Sequence, residues 1–169
     1  MALIPIRVFG DPVLRQPTVE VTGIDDALHR LAADMLETMY DAPGVGLAAN
    51  QVGVQRRFFV YDVGDGPGVV INPQIVEASG EWSYLEGCLS VPDQHFDIVR
   101  PHKVRLVGID LDGNALDIEA EDLLARCFLH EVDHLDGKLL LERLDDAQRK
   151  EAMRVLRTRD FSTAQVADF

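Results

Sequence analysis

The feature that most limits how this chain can fold is a pair of histidines one helical turn apart. His130-Glu131-Val132-Asp133-His134 spells H-E-x-x-H inside a stretch, Asp122 to Asp136, that reads as a helix with Gly137 at its C-cap. At 3.6 residues per turn the two imidazoles stand about 40° apart around the axis, so both reach a single ion. Glu131 projects to one side of the pair, where a carboxylate can take a proton from a metal-bound water. With 5 histidines in 169 residues, fewer than about 0.01 such patterns are expected by chance. The pattern is therefore read as a metal site. Two imidazoles do not hold a catalytic metal, so another part of the chain has to supply a third ligand and leave one position open for water.

Four residues are candidates for that ligand. The run extends downstream as H-E-x-x-H-x-x-G-x-x-L, so Leu140 stands where a third histidine would complete the pattern, and an aliphatic side chain cannot ligate. Glu151, on the last helix, would make a His2Glu zinc endopeptidase site. Cys127 shares the face of His130 but lies seven residues from His134, about 10 Å of rise, and so points at the neighbourhood of the ion and not at it. Cys88, in Glu86-Gly87-Cys88-Leu89-Ser90, offers a thiolate, a strong ligand for zinc or ferrous iron, and the glycine before it permits close backbone approach. The ordinary role of a lone cysteine is that of a small buried hydrophobe. On residue chemistry alone Cys88 and Glu151 stand level.

Around the histidine helix the chain reads as α+β, with helices at both ends of an antiparallel middle. Pro5, Pro12 and Pro17 make the first twenty residues an extended arm over the surface. Apolar residues at Ile24, Ala27, Leu28, Leu31, Met35 and Met39 form a helical stripe, with Thr22 as N-cap and Pro43-Gly44 as the stop. Arg57–Val63, Val69–Asn72 and Lys103–Glu121 read as strands, the last broken by an Asp112-Gly113 hairpin turn. A third helix runs from Asp145 to about Arg159, beginning with two acids where the helix dipole favours them, and residues 160–169 look frayed. With no linker or repeat, 169 residues that are 47% apolar make one domain spanning 1–169. Sixteen basic against 29 acidic residues give a net charge of −13, which disfavours DNA and anionic lipid as partners. No run approaches a membrane span, the first residues lack a signal-peptide pattern, and two cysteines are too few for a disulfide scaffold. The expectation is a cytoplasmic protein with no membrane contact.

Three segments in order resemble the signature motifs of peptide deformylases: Gly44-Val45-Gly46-Leu47-Ala48-Ala49-Asn50-Gln51, Glu86-Gly87-Cys88-Leu89-Ser90, and His130-Glu131-Val132-Asp133-His134. The separations, 37 residues from Gln51 to Cys88 and 42 from Cys88 to His130, also resemble the bacterial enzymes, and the likeness runs from the N-terminal arm to about residue 158. The resemblance implies antiparallel sheets packed around a central metal-binding helix, with an N-terminal and a C-terminal helix. It implies a hydrolase that removes the N-formyl group from the first methionine of newly made polypeptides and releases formate. Carried over by position, Cys88, His130 and His134 would bind one divalent metal and Glu131 would be the acid/base. Fe2+ is the implied ion, with Zn2+ allowed by the ligands and Ni2+ or Co2+ as working substitutes. The side-chain amide of Gln51 and the backbone N–H of Leu89 would face the formyl oxygen. Such preplaced donors are typically worth about 2.7–4 kcal/mol each, and a Gln amide donates without titrating.

The same resemblance has Gly46 and Gly87 flanking a substrate bound as an added strand. Val45, Leu123 and Cys127 are candidates for the methionine pocket, although core packing explains Leu123 nearly as well. Arg126, one turn before His130, falls near the site face of the helix or only snorkels to solvent. Glu86 and Arg100 either orient the thiolate loop or form a plain surface pair. Leu129 replaces a common Gln of relatives and points toward the core, while His95 and Phe96 lie in a variable stretch at the pocket lip. His29 and His102 read as surface residues without partners. The last helix carries Arg149, Lys150, Arg154, Arg157 and Arg159 against Glu151. That is either a solvated face or, as in bacterial relatives, a dock for the anionic surface of the ribosome.

Overall fold

The computed structural model describes residues 2–158. Its centre is a run that is apolar on both faces. Strand β1 (Gly46–Ala48) pairs antiparallel with β2 (Phe58–Tyr61), and β2 pairs with β3 (Gly68–Ser79). Side chains alternate across a strand. Leu47, Phe58, Val60 and Ile71 therefore face one way, onto helix α1 (Asp26–Asp41), where Leu28, Ala32, Met35 and Met39 are fully buried. Ala48, Phe59 and Val70 face the other way, onto helix α2 (Asp122–Leu135), the histidine-bearing helix, through Ala125, Phe128 and Leu135. A strand covered on both sides needs no polar alternation, which is why Phe58 to Tyr61 is continuously apolar.

The five-stranded sheet is completed by β6 (Lys103–Ile109) and β7 (Ala115–Glu121), in the order β1-β2-β3-β6-β7. The hairpin between β6 and β7 turns at Gly113, as the sequence implies, with Gly113 at φ 83°. Strands β4 (Trp82–Cys88) and β5 (Val91–Arg100) form a separate two-stranded sheet. Helix α3 (Asp146–Arg157) packs Ala152 and Leu156 with Val91 and Ile98 of β5 and with Leu140, Leu141 and Leu144. The result is α+β, with the histidine helix between the sheets.

Several boundaries differ from the sequence reading. Helix α1 is capped by Asp25, which accepts from Leu28 N at 2.8 Å, and not by Thr22. Val19 and Val21 are held extended by bonds to Gln55, Arg57 and Asn72, so the chain cannot turn helical before residue 25. The N-terminal arm does more than run over the surface: a 3-10 turn at Pro12–Arg15 buries Leu14 completely. Arg7 N and Phe9 N each donate at 2.7 Å, to Gln51 O and Ser90 O. Thr18 donates through N and Oγ1 to Leu135 O, at the end of α2. Gly137 follows α2 at φ 76°, and a Cβ there would stand 2.8 Å from the Arg15 backbone, so both turn and packing require glycine. Helix α3 spans 146–157 with Asp145 as its cap, while Arg159 and the tail 160–169 lie outside the described residues. Among those residues no helix is long and apolar enough to cross a membrane.

Candidate metal centre

Strand β4 carries Cys88 to the ligand face of α2. Cys88 Sγ lies 3.2 Å from His134 Nε2, which is 3.0 Å from His130 Nε2. All three donor atoms fall within 4.8 Å of one another, and among the described residues they form the one such group able to hold a metal. Two imidazole nitrogens on a tetrahedral ion at about 2.05 Å would stand about 3.3 Å apart, so the spacing fits an ion with small adjustment. One thiolate and two imidazoles suit zinc or ferrous iron. His134 is almost fully buried, and its Nδ1 and Glu131 Oε2 have no protein partner.

The remaining candidates separate clearly. Glu151 is exposed on α3 and forms a bidentate pair with Arg154 at 3.0 and 2.6 Å, so the His2Glu reading fails. Cys127 is buried but donates to Val45 O at 3.5 Å and is not a ligand. Leu140 is buried in the third core cluster.

A buried ionic network supports the thiol–imidazole cluster. His130 Nδ1 meets Glu86 Oε1 at 2.6 Å, which fixes the ring so that Nε2 carries the lone pair. Glu86 also takes Arg100 through both oxygens, at 2.7 and 2.9 Å, and Arg126 at 2.6 Å. Burial opposes ionisation of Glu86, but hydrogen bonds from His130 and Arg100 hold its carboxyl well below the usual range. The pair of Glu86 with Arg100 thus orients the site and is no surface pair. Arg126 does not snorkel. It is 3% exposed, donates to Trp82 O at 2.6 Å, and lies over the Trp82 and Tyr84 rings. Asp133, inside the H-E-x-x-H run, binds Arg143 and Arg100, and Asn50 Nδ2 donates to His134 O. Burial pushes Glu131 up to about 7 and pushes His134 well below its ordinary value.

The substrate-side candidates lie around the same helix. A Cβ on Gly46 would meet Glu131 Oε1 at 2.5 Å and Cys127 Sγ at 2.9 Å, so β1 touches α2 beside the acid. Val45 is exposed just before it. Leu124, Leu129 and Val132 pack into the second core, as expected for Leu129, whereas Leu123 is half-buried outside it. Gly87 pairs with His95, whose exposed ring occupies the space a Cβ would need. Phe96 packs against the third cluster. Gln51 is 1% exposed, and Leu89 sits in the turn between β4 and β5. His29 and His102 have partners after all: Asp25 O at 3.0 Å and Asp122 Oδ1 at 2.6 Å.

The sequence profile of the polypeptide deformylase family matches residues 3–150. The chain belongs to the polypeptide deformylase family. It is 52% identical over 147 residues to the peptide deformylase of Agathobacter rectalis, covering 87% of this chain and 93% of the relative. It is 48% identical over 162 residues to that of Acidothermus cellulolyticus, covering 96% and 90%. The crystal structure of the Legionella pneumophila peptide deformylase superposes with a TM-score of 0.87 at 40% identity, covering 94% of this chain and 99% of that one. The Ehrlichia chaffeensis enzyme in complex with actinonin gives 0.89 at 37%, covering 95% and 100%. Polypeptide deformylases are metal-dependent hydrolases that remove the N-formyl group from nascent peptides, and this chain is such a hydrolase.

Proposed function

We propose that Cys88, His130 and His134 hold one divalent cation, that Glu131 moves the proton, and that the Gln51 amide and Leu89 N–H receive the formyl oxygen. The observation that carries this reading is the convergence of a thiol and two imidazoles beside a buried carboxylate with an unpartnered oxygen. When bound, the cation would acidify the attacking water and polarise the formyl carbonyl. Glu131 would accept a proton from the attacking water and pass it to the leaving amine, so one carboxylate serves both steps. Gln51 and Leu89 donate to the oxygen as it gains charge. The peptide adds as a strand along the free edge of β1, between Gly46 and Gly87, so main-chain bonds tolerate many downstream sequences. Val45, Leu123 and Cys127 line the methionine pocket. The position of Leu123 outside the core favours that role over packing.

Formate release from formyl-Met-Ala, measured beside elemental analysis, tests these roles. Cys88→Ala is expected to lose both metal and turnover. Glu131→Gln should keep the metal and lower kcat by about 10²–10⁴-fold; a Gln variant as fast as the parent would remove Glu131 from the mechanism. We further propose Fe2+ as the resident ion, with Zn2+, Ni2+ or Co2+ able to replace it. Protein purified without oxygen should then contain iron and lose activity in air, and equal activity in both atmospheres would argue against iron.

The reading implies one catalytic domain working in the cytoplasm, with nascent N-formylmethionyl polypeptides as partners. We also propose that the basic side of α3 meets the ribosome. Arg149 is engaged with the carbonyls of Leu141 and Leu144 and Arg154 with Glu151, which among the described residues leaves Lys150 and Arg157 to carry the contact. Co-sedimentation with ribosomes at low salt should fall on Lys150→Glu/Arg157→Glu, and unchanged co-sedimentation would exclude this face.

A further inference from the structure

We propose that Ser90 is a positioning residue that fixes the side-chain amide of Gln51 for its work on the formyl oxygen; this rests on the role given to Gln51 above. Ser90 is fully buried and its hydroxyl faces the Gln51 amide, so it acts through that neighbour.

The amide of Gln51 is held at both ends. Its Oε1 accepts from Ala48 N at 2.9 Å, and its Nε2 donates to Ser90 Oγ at 3.0 Å. A backbone N–H can only donate, so Oε1 must face Ala48; the flipped amide would set donor against donor. Nε2 therefore points toward Ser90, whose hydroxyl oxygen accepts one of its two hydrogens. The other hydrogen has no protein acceptor among the described residues and remains available to a ligand. Without the hydroxyl, Ala48 N still selects the orientation, but the amide is held at one end only and its broad terminal torsion lets Nε2 drift.

The backbone around this bond is also fixed. Ser90 occupies the two-residue turn between Cys88 and Val91, directly after Leu89. Its carbonyl accepts from Phe9 N at 2.7 Å, while Gln51 O accepts from Arg7 N at 2.7 Å. One stretch of the N-terminal arm thus bridges the two segments that the Gln51–Ser90 bond joins. Through that bond the side-chain donor of Gln51 is tied to the turn that carries the backbone donor of Leu89.

A double-mutant cycle on the metal-loaded enzyme, read as formate release from formyl-Met-Ala, tests the proposal. Ser90→Ala is expected to lower kcat about tenfold, with KM within about twofold and the metal content unchanged. In a Gln51→Ala background the same change should have no further effect, because the group Ser90 holds is gone. Equal fold losses in both backgrounds, or no loss in the parent, would overturn it. If Gln51→Ala itself leaves kcat unchanged, the role of Gln51 fails first and the proposal falls with it. A measurement on the unaltered chain guards against a variant that does not fold. In zinc-loaded protein one of the two Gln51 Nε2 protons should exchange slowly with solvent by NMR, and rapid exchange of both would contradict the bond to Ser90.

Discussion

At Gly46 one added carbon decides whether strand β1 can lie against the Glu131 face of α2. Its Cβ would stand 2.5 Å from Glu131 Oε1 and 2.9 Å from Cys127 Sγ, both on buried side chains with little room to yield. Gly46→Ala is expected to destabilise the protein by about 1–3 kcal/mol and to lower kcat/KM, while the metal remains bound. A thermal melt and formate assay of the same preparation check both effects. Cys88, His130 and His134 stand together where their motifs imply, because ligand chemistry leaves a signature in residue type and spacing. The residues that support them leave none. Arg126 reads as a surface cation and is buried over Trp82 and Tyr84, because its partners Glu86 and Trp82 O come from a strand 40 and 44 residues away. Asn50 and Ser90 are silent for a like reason, their partners lying 84 and 39 residues away.

Helices α1, α2 and α3 and the β6–β7 hairpin were legible because each carries a local signal, an apolar stripe, an H-E-x-x-H run, paired acids at an N-terminus or a Gly turn, even where the cap of α1 lies at Asp25 and not at Thr22. Strands β4 and β5 were not, because the positions they turn inward include Glu86 and Arg100, which a hydrophobic pattern scores as surface. That inward pair is what couples the hairpin to the histidine helix. Glu86→Ala leaves two buried guanidinium groups short of their shared carboxylate, so a loss of about 3–5 kcal/mol is expected from denaturant titration. A milder coupling joins the end of α1 to the loop after β2. Tyr40 donates to Asp62 Oδ2 at 2.6 Å, and Asp62 N donates to Val45 O at 2.9 Å, just before β1. The Tyr40 hydroxyl, then the amides of Gly64 and Gly66, hold the Asp62 carboxyl below its ordinary value. A lowered folded pKa means that this carboxylate stabilises the fold above its unfolded pKa of about 3.9. That contribution fades as pH falls through the folded value. Tyr40→Phe should move the Asp62 carboxyl pKa upward in an NMR titration, and an unmoved value would show that the loop amides alone set it.

Across the whole molecule, the proposed metal ligands come from two elements, β4 and α2, joined by the bonds of Glu86 with His130 and Arg126 and of Arg126 with Trp82 O, so a bound ion would tie them further. Removing it with a chelator should lower the melting temperature, and returning Zn2+ or Fe2+ should restore it; a melt indifferent to chelation would mean the ion contributes nothing to the fold. The α+β architecture was readable in outline, from helices flanking an antiparallel middle. The layering was not, since nothing local says that α1 and α2 cover opposite faces of the same three strands. That layering has a consequence during synthesis. Ala48, Phe59 and Val70 leave the ribosome before their cover, which arrives with Phe128, 58 residues after Val70. At about 5–20 residues per second the half-built sheet waits roughly 3–12 s with a greasy side bare. Any change that slows elongation through the β4–β7 stretch lengthens that wait, and with it the opportunity for aggregation.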